Sequence, residues 1–150
     1  MTYSVNFANY TIGEDAYQNV REVCRHYGKK ALLIGGEMAL KAGKEKLIQA
    51  LASEIQIVDT VLFGTDCTYA RMEELAEHAK KCGADMIFGM GGGKALDTAK
   101  GTAEKAGLPV FTFPTIAATC AATTALSVVY KEDGNFDSFY FYDKLVPHSV

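Results

Sequence analysis

From residue 31 to residue 113, the chain alternates short apolar runs with longer segments whose apolar residues recur at helical spacing. Parallel strands cannot be joined by a tight turn and need a long crossover, which is usually a helix. The alternation therefore predicts βαβ units, right-handed crossovers and a parallel sheet with helices on both faces. The predicted strands are 31–34, 55–63, 86–88 and 109–113, and the predicted helices are 37–52, 69–82 and 94–106.

The two ends of the chain add to this pattern. A helix is predicted over 14–27, ended by Gly28, with a possible strand before it at 5–7. Near the other end, the runs 126–130 and 136–142 are joined through Asp133 and Gly134, which is typical of a hairpin. The predicted fold class is therefore α/β, a Rossmann-like parallel sheet plus a C-terminal β-hairpin that extends away from it.

Composition limits the classes of partner. The 150 residues correspond to one domain, and the formal net charge of −3 argues against nucleic acid or an anionic membrane as a partner. No run approaches the roughly 18 apolar residues of a membrane span. The four cysteines form no CxxC pair, so the sequence predicts a reduced, cytoplasmic protein. The expected partner is a small molecule.

Residues 86–97 carry the main chemical signal, because a buried strand leads through Gly91, Gly92 and Gly93 directly into a helix. Glycines permit unusual backbone angles and let a ligand approach the main chain closely. The start of a helix offers unpaired N–H groups and a partial positive charge, which favour a phosphate. The spacing is neither GxGxxG nor that of a P-loop, so a plain glycine-rich turn stays open as an alternative.

Parallel sheets bind ligands at the carboxyl ends of their strands, where this loop is predicted to lie. Two further loops, 35–37 and 114–124, end at the same edge, so the sequence predicts a three-sided crevice. The second loop is built from small and hydroxylated residues, including Thr115, Thr119, Thr123 and Thr124. These residues can pack against a flat ligand and donate hydrogen bonds, or simply allow close packing on a helix.

Residues 91–100 (GGGKALDTAK) and 114–130 (PTIAAT through ALSVVY) resemble the glycerol dehydrogenase branch of the metal-dependent (iron or zinc) alcohol dehydrogenase superfamily. That family is related in fold to dehydroquinate synthase, and the resemblance covers nearly the whole chain. It implies an enzyme that binds NAD or NADP and transfers a hydride between nicotinamide and a small alcohol, polyol or 2-hydroxy acid. A divalent metal, zinc or iron, assists the reaction in that family.

The resemblance also implies a cofactor site in four parts. Gly36 matches a position beside the adenosine ribose. The positions that match the pyrophosphate loop are Gly91, Gly92, Gly93, Lys94, Ala95, Leu96 and Asp97. The positions that match the loop near the adenine and diphosphate are Thr115, Ile116, Ala117 and Ala118, and those near the nicotinamide are Thr124, Leu126 and Tyr130.

Two positions depart from the glycerol dehydrogenase pattern. Cys120 stands where an aspartate near the substrate is usual, and this resembles the hydroxycarboxylate dehydrogenases, which reduce 2-oxo acids. Loss of a carboxylate lessens the repulsion of an anionic substrate. Gly36 stands where an aspartate accepts from the ribose hydroxyls, so the sequence predicts that NADPH is accepted, unless Glu37 turns inward.

The family's metal is held by an acid and two histidines of a helical second domain. His26, His78 and His148 have no ligand spacing, so no metal ligand and no catalytic residue is assigned within this chain. The sequence therefore predicts an NAD(P)-binding domain over 1–150, with a helical metal-binding domain expected after it. The aromatic run 136–142 suggests a homo-oligomer contact, although ordinary hairpin packing also explains it.

Two other functions stay open at the sequence level. A lyase similar to dehydroquinate synthase would use the same cofactor and metal, but its phosphate-binding lysine and arginine positions are not recognisable here. A catalytically silent nucleotide-binding module is the other alternative. Cys120 as a nucleophile is less favoured than a small packing residue, because no histidine partner is evident.

Overall fold

A computed structural model describes residues 9–117, 119–143, 145 and 147–150. The strands are β1 (Asn9–Tyr10), β2 (Lys30–Gly35), β3 (Gln56–Leu62), β4 (Met86–Gly91), β5 (Val110–Pro114), β6 (Leu126–Tyr130), β7 (Phe136–Phe141) and β8 (His148–Ser149). The helices are α1 (Val20–Cys24), α2 (Glu37–Leu51), α3 (Tyr69–Lys81) and α4 (Gly93–Ala106), with a 3-10 turn at Ala16–Asn19 before α1.

Six strands form one sheet in the order β1-β8-β5-β4-β2-β3, and every neighbouring pair in it is parallel. Strands β6 and β7 form a separate antiparallel pair. The predicted α/β class, with its parallel sheet and late hairpin, is confirmed. Because β3 pairs with one side of β2 and β4 with the other, the strand order reverses between β2 and β4. Ligands of open α/β sheets bind at such a reversal.

Helices cover both faces of the sheet, as predicted, because successive side chains of a buried strand point to opposite faces. On one face Phe88 of β4 packs in a cluster with Leu47 and Leu51 of α2. On the other face Ile87 packs in a cluster with Leu75 of α3 and Ala99 of α4. The central strands are buried on both sides, which explains their continuous apolar runs.

Helix α4 lies unusually close to its neighbours. A Cβ atom at Gly89 would lie 2.6 Å from Cβ of Ala99, and one at Gly101 would lie 2.3 Å from Sδ of Met72. Glycine at these two positions therefore lets α4 approach β4 and α3. The hairpin covers a further side of α4, and the nine consecutive residues from Ala95 to Ala103 include no exposed one.

Three details differ from the sequence-based predictions. The helix expected over 14–27 is shorter, a 3-10 turn followed by α1, because Asn and Tyr residues in this stretch favour helix weakly. The strand expected at 5–7 lies outside the described residues. Strand β8 was not predicted, since two residues carry no readable alternation.

Candidate nucleotide site

The site begins where β4 ends and α4 starts. Gly91 has φ +147°, a conformation that residues with a side chain rarely adopt. Gly92 is the N-cap of α4 and has no side chain to cap it, and the first turn contains no acidic residue. The first N–H that bonds back into the helix is that of Leu96, which donates to the Gly92 carbonyl at 3.0 Å. The preceding amides have no partner within the helix, so they can donate hydrogen bonds to an anion at the helix start.

Three loop segments meet around this start, and short backbone hydrogen bonds connect them. The Thr115 amide donates to the Gly91 carbonyl at 3.1 Å, and the Gly36 amide donates to the Met90 carbonyl at 3.2 Å. Between the segments lies a cavity of about 460 Å³. The residues lining it are Gly36, Glu37, Met38, Ala39, Phe63, Gly91, Gly92, Gly93, Lys94, Ala95 and Thr115.

Glycine keeps three positions of this cavity free of side chains, each of which would come close to a neighbouring residue. A Cβ at Gly92 would lie 3.0 Å from Cδ1 of Ile116, and one at Gly93 would lie 3.5 Å from Oγ1 of Thr119. A Cβ at Gly36 would lie 3.6 Å from Cε1 of Phe63. The residues present therefore fit a nucleotide, because bare amides are available for its phosphates and an aromatic ring, Phe63, lines the same cavity.

Lys94 lines the cavity, but its ammonium group is held at one side. Its Nζ forms an ion pair with Asp66, and it lies 4.9 Å from the centroid of the Tyr130 ring. The hydrogen bond to Asp66 raises the pKa of Lys94. Sequence reasoning did not single out Asp66, although it follows β3 at the same edge of the sheet.

Leu96 and Asp97 lie behind the loop and do not line the cavity. Leu96 is fully buried and packs with Ala121 and Ala122 of the 114–124 loop. The Asp97 carboxylate lies 2.9 Å from Nζ of Lys100. Both side chains therefore support the crevice from within the fold.

Thr124 and Leu126, which the resemblance placed near the nicotinamide, are bound to α4 through Lys100. The Lys100 Nζ donates to the Thr124 carbonyl at 3.1 Å, to Oγ1 of Thr124 at 3.2 Å and to the Leu126 carbonyl at 2.6 Å. Burial lowers the pKa of Lys100, and the Asp97 carboxylate opposes that shift. Lys100 belongs to the quoted 91–100 motif, yet its role could not be read from the sequence.

The other predicted positions lie on the exposed loop after β5. Ile116, Ala117 and Cys120 are exposed, and the Cys120 carbonyl accepts from the amides of Thr123 and Thr124 in a turn. Ala118 lies outside the described residues. A larger cavity of about 720 Å³ adjoins this loop, shares Thr115 with the crevice and extends to Tyr17.

The histidines lie apart from the crevice. Nε2 of His78 lies 2.7 Å from Oδ2 of Asp59, and Nε2 of His148 lies 3.0 Å from Oγ1 of Thr11. Among the described residues, no group of three or more His, Cys, Asp or Glu side chains is arranged to hold a metal ion. The described part of this chain therefore does not fit the metal that the resemblance implies.

The sheet reversal and the open start of α4 are features of a Rossmann-like α/β domain. A family model described as iron-containing alcohol dehydrogenase matches residues 8–150, so the chain belongs to that family. The resemblance seen in the sequence is thereby confirmed.

The names of similar proteins agree with this family assignment. The chain is 32% identical over 137 residues to glycolaldehyde reductase of Halobacterium salinarum, which covers 91% of this chain and 38% of that protein. It is 38% identical over 116 residues to hydroxycarboxylate dehydrogenase A of Escherichia coli, which covers 76% of this chain and 31% of that protein. The crystal structure of glycerol dehydrogenase from Schizosaccharomyces pombe matches with a TM-score of 0.83 at 26% identity, over 99% of this chain and 38% of that one. The chain thus spans about a third of the length of these proteins, from 31% to 38%.

Proposed function

We propose that this chain is the NAD(P)-binding domain of an oxidoreductase that acts on a small alcohol, polyol or 2-hydroxy acid. The observation that carries the proposal is the uncapped start of α4, which opens into the crevice at the strand-order reversal. Backbone amides at that position stabilise a pyrophosphate without needing a positively charged protein. The names of the similar proteins support this class of substrate.

The proposed placement of the cofactor follows the three segments of the crevice. The pyrophosphate lies on the amides of Gly92, Gly93 and Lys94, and the adenosine end lies toward Gly36 and Phe63. The nicotinamide end lies toward the segment Thr124 to Tyr130, where Lys94 already packs over the Tyr130 ring. When bound, the nicotinamide supplies the hydride acceptor or donor, and this chain's residues bind and orient it.

Cys120 supports a substrate of anionic character. It is exposed on the loop after β5, next to the segment proposed for the nicotinamide. A thiol there repels a carboxylate less than an aspartate would. We therefore propose a 2-oxo or 2-hydroxy acid as the preferred substrate class, in agreement with the name of hydroxycarboxylate dehydrogenase A.

Gly36 supports acceptance of NADP. It is the N-cap of α2, lines the crevice beside Phe63 and carries no acidic group to repel a 2′-phosphate. Glu37 is exposed in the first turn of α2. Titration with NADH and NADPH tests this proposal, and NADH binding about tenfold tighter or more, equal to about 1.4 kcal/mol, would contradict it.

The metal and the remaining catalytic groups are proposed to come from a helical domain that follows residue 150. The support is that the similar proteins are nearly three times as long as the matched part.

We also propose assembly into a homo-oligomer in the cytoplasm. The exposed Phe136, Phe139 and Phe141 of β7 support a subunit contact. None of the described helices is both long and apolar enough to cross a bilayer.

Titration of the chain with NAD, NADP and ADP-ribose, followed by amide chemical shifts, tests the proposed binding site. We expect saturable binding with the largest shifts at the amides of residues 92–95 and at Gly36. Binding that shifts only residues around the larger cavity near Tyr17 would contradict the proposed placement. No binding of any of the three compounds would contradict the proposed function.

A further inference from the structure

The second turn of α4 contains a buried ion pair. Lys100 is fully buried and Asp97 is 6% exposed, and their charged groups lie 2.9 Å apart. A lysine ammonium has three N–H donors and no acceptor. Its described hydrogen-bond acceptors are both oxygens of Thr124 and the Leu126 carbonyl, and the Asp97 carboxylate forms an ion pair with it. These acceptors account for the hydrogen-bonding capacity of the ammonium group.

Asp97, the other member of the ion pair, also accepts hydrogen bonds from this segment. Its Oδ2 accepts from the Val128 amide at 3.1 Å, and its own carbonyl accepts from Oγ of Ser127 at 2.6 Å. The hydroxyl of Ser127 also contacts the hydroxyl of Tyr142. Asp97 and Lys100 therefore form hydrogen bonds with Thr124, just before β6, and with the first three residues of β6, 126–128.

Stability alone does not explain this pair. Removing two charges from water is costly, and apolar residues of similar size often stabilise a core as well or better. Hydrogen bonds from the pair are directional, however, and they fix both the distance and the register of the backbone they bind. The pair is therefore suited to hold one segment in one position relative to α4.

We propose that Asp97 and Lys100 are positioning residues, a clamp that fixes the nicotinamide-side segment Thr124 to Tyr130 relative to the pyrophosphate loop. This inference rests on the proposed function. Helix α4 begins at the glycine loop, so a segment bound to its second turn stands at a set distance from that loop. Loss of the clamp affects the nicotinamide side of the site and leaves the pyrophosphate side in place.

The double variant D97N/K100M tests the clamp without leaving a single buried charge. The side-chain amide introduced at position 97 can still accept from the Val128 amide, whereas the thioether introduced at position 100 fills the volume but donates nothing. The matched control is E77Q/K80M on α3, which removes an exposed ion pair of the same sequence spacing. Hydrogen exchange of the free chain gives the first measurement.

In D97N/K100M we expect amide exchange over residues 124–130 to rise about tenfold or more, because local opening costs less without the clamp. Exchange in β4 and in residues 93–106 stays unchanged, and the control matches the wild type throughout. Unchanged exchange over 124–130 would overturn the proposal. An equal rise throughout α4 would also overturn it, since it would show only a general structural role.

The second measurement compares each dinucleotide with its counterpart that lacks nicotinamide: NAD with ADP-ribose, and NADP with 2′-phospho-ADP-ribose. In D97N/K100M we expect the affinity for the dinucleotide to fall about fivefold relative to its counterpart, whose Kd stays within about twofold. An unchanged ratio, with nucleotide still bound, contradicts the clamp alone. A wild-type chain that binds none of the four compounds contradicts the proposed function and, with it, the clamp's role in positioning the nicotinamide.

Discussion

Helices α3 and α4 pack against each other and have nearly the same length, 13 and 14 residues, but their first turns are built differently. At α3, Oγ1 of Thr68 accepts from the Arg71 amide at 3.2 Å, so a side chain closes the helix start. At α4 the corresponding position is Gly92, which has no side chain to do so. A helix start that the protein closes itself is structural, whereas one left open at the sheet reversal is available to a ligand.

The two helices also carry the same type of ion pair in different surroundings. Glu77 and Lys80 of α3 are 3.0 Å apart and exposed, whereas Asp97 and Lys100 of α4 are 2.9 Å apart and buried. Water screens the first pair, so it contributes little. The second pair is shielded from water and bound to the hairpin backbone, so removing one partner leaves an uncompensated charge.

The largest expected effect comes from breaking the buried pair. The single substitution K100M should lower the free energy of unfolding by about 3–5 kcal/mol, because the Asp97 carboxylate stays buried without its partner. For a chain of this size this corresponds to a fall in Tm of roughly 10–15 °C. Thermal unfolding followed by circular dichroism measures it.

The matched substitution on α3 is K80M, which should leave Tm within error because both side chains of that pair are exposed. Equal losses of Tm in the two variants would show that the environments of the pairs do not differ as described.

The next effect concerns the two helix starts. The substitution G92D gives α4 the side-chain cap that α3 already has, and it places a carboxylate where the pyrophosphate is proposed to lie. Nucleotide affinity should fall about 100-fold, or about 2.7 kcal/mol, while Tm stays constant or rises. The nearest side-chain atom to the new Cβ belongs to the exposed Ile116, which can move aside.

T68D is the control of equal charge, because it keeps a capping oxygen at α3 and should leave nucleotide affinity unchanged. Titration calorimetry measures the nucleotide affinity of both variants. Wild-type affinity in G92D would mean that the open helix start is not the binding site.

A smaller effect is expected when the closed start is opened. T68A removes the cap of α3 and should cost about 1 kcal/mol, with a fall in Tm of roughly 2–4 °C. Nucleotide affinity should not change, since α3 has no part in the proposed site. Denaturant unfolding measures the free energy of unfolding, and a nucleotide titration measures the affinity. Weaker nucleotide binding by T68A would contradict the claim that α3 has no part in the site.

The smallest effect is a difference in thiol reactivity near the two helix starts. Burial raises the pKa of Cys67, beside the start of α3, to about 12, so its thiolate is scarce at neutral pH and grows only as pH approaches that value. Cys120 is exposed on the loop after β5, next to the residues that pack on Leu96 of α4. Iodoacetamide at pH 7.5 should modify Cys120 and leave Cys67 intact, as mass spectrometry of peptides would show. Rapid modification of Cys67 in the folded chain would contradict its burial.

Much of the fold could be predicted because its signals are local. Apolar runs and helical spacing placed strands β2 to β5 and helices α2 to α4 within a few residues of their observed bounds. The glycine run indicated a ligand loop because strand, turn and helix follow each other directly in the sequence. Strand β8 could not be predicted, since its two residues are defined by pairing with β5 and β1.

The site was less predictable where it depends on distant contacts. Lys100 in an amphipathic segment is indistinguishable from a solvated lysine until the hairpin packs over α4 and buries it. The direction of Lys94 depends on Asp66, which lies 28 residues earlier in the chain. Asp97 was assigned to the cofactor by resemblance, and only the fold places its carboxylate beside Lys100 and the Val128 amide.

A crystal structure of the chain with NADP bound tests the central proposal most directly. We expect phosphate oxygens within hydrogen-bonding distance, about 2.7–3.2 Å, of the amides of Gly92, Gly93 and Lys94. A nucleotide bound elsewhere, for example in the larger cavity near Tyr17, with those amides making no contact to it, would contradict the account.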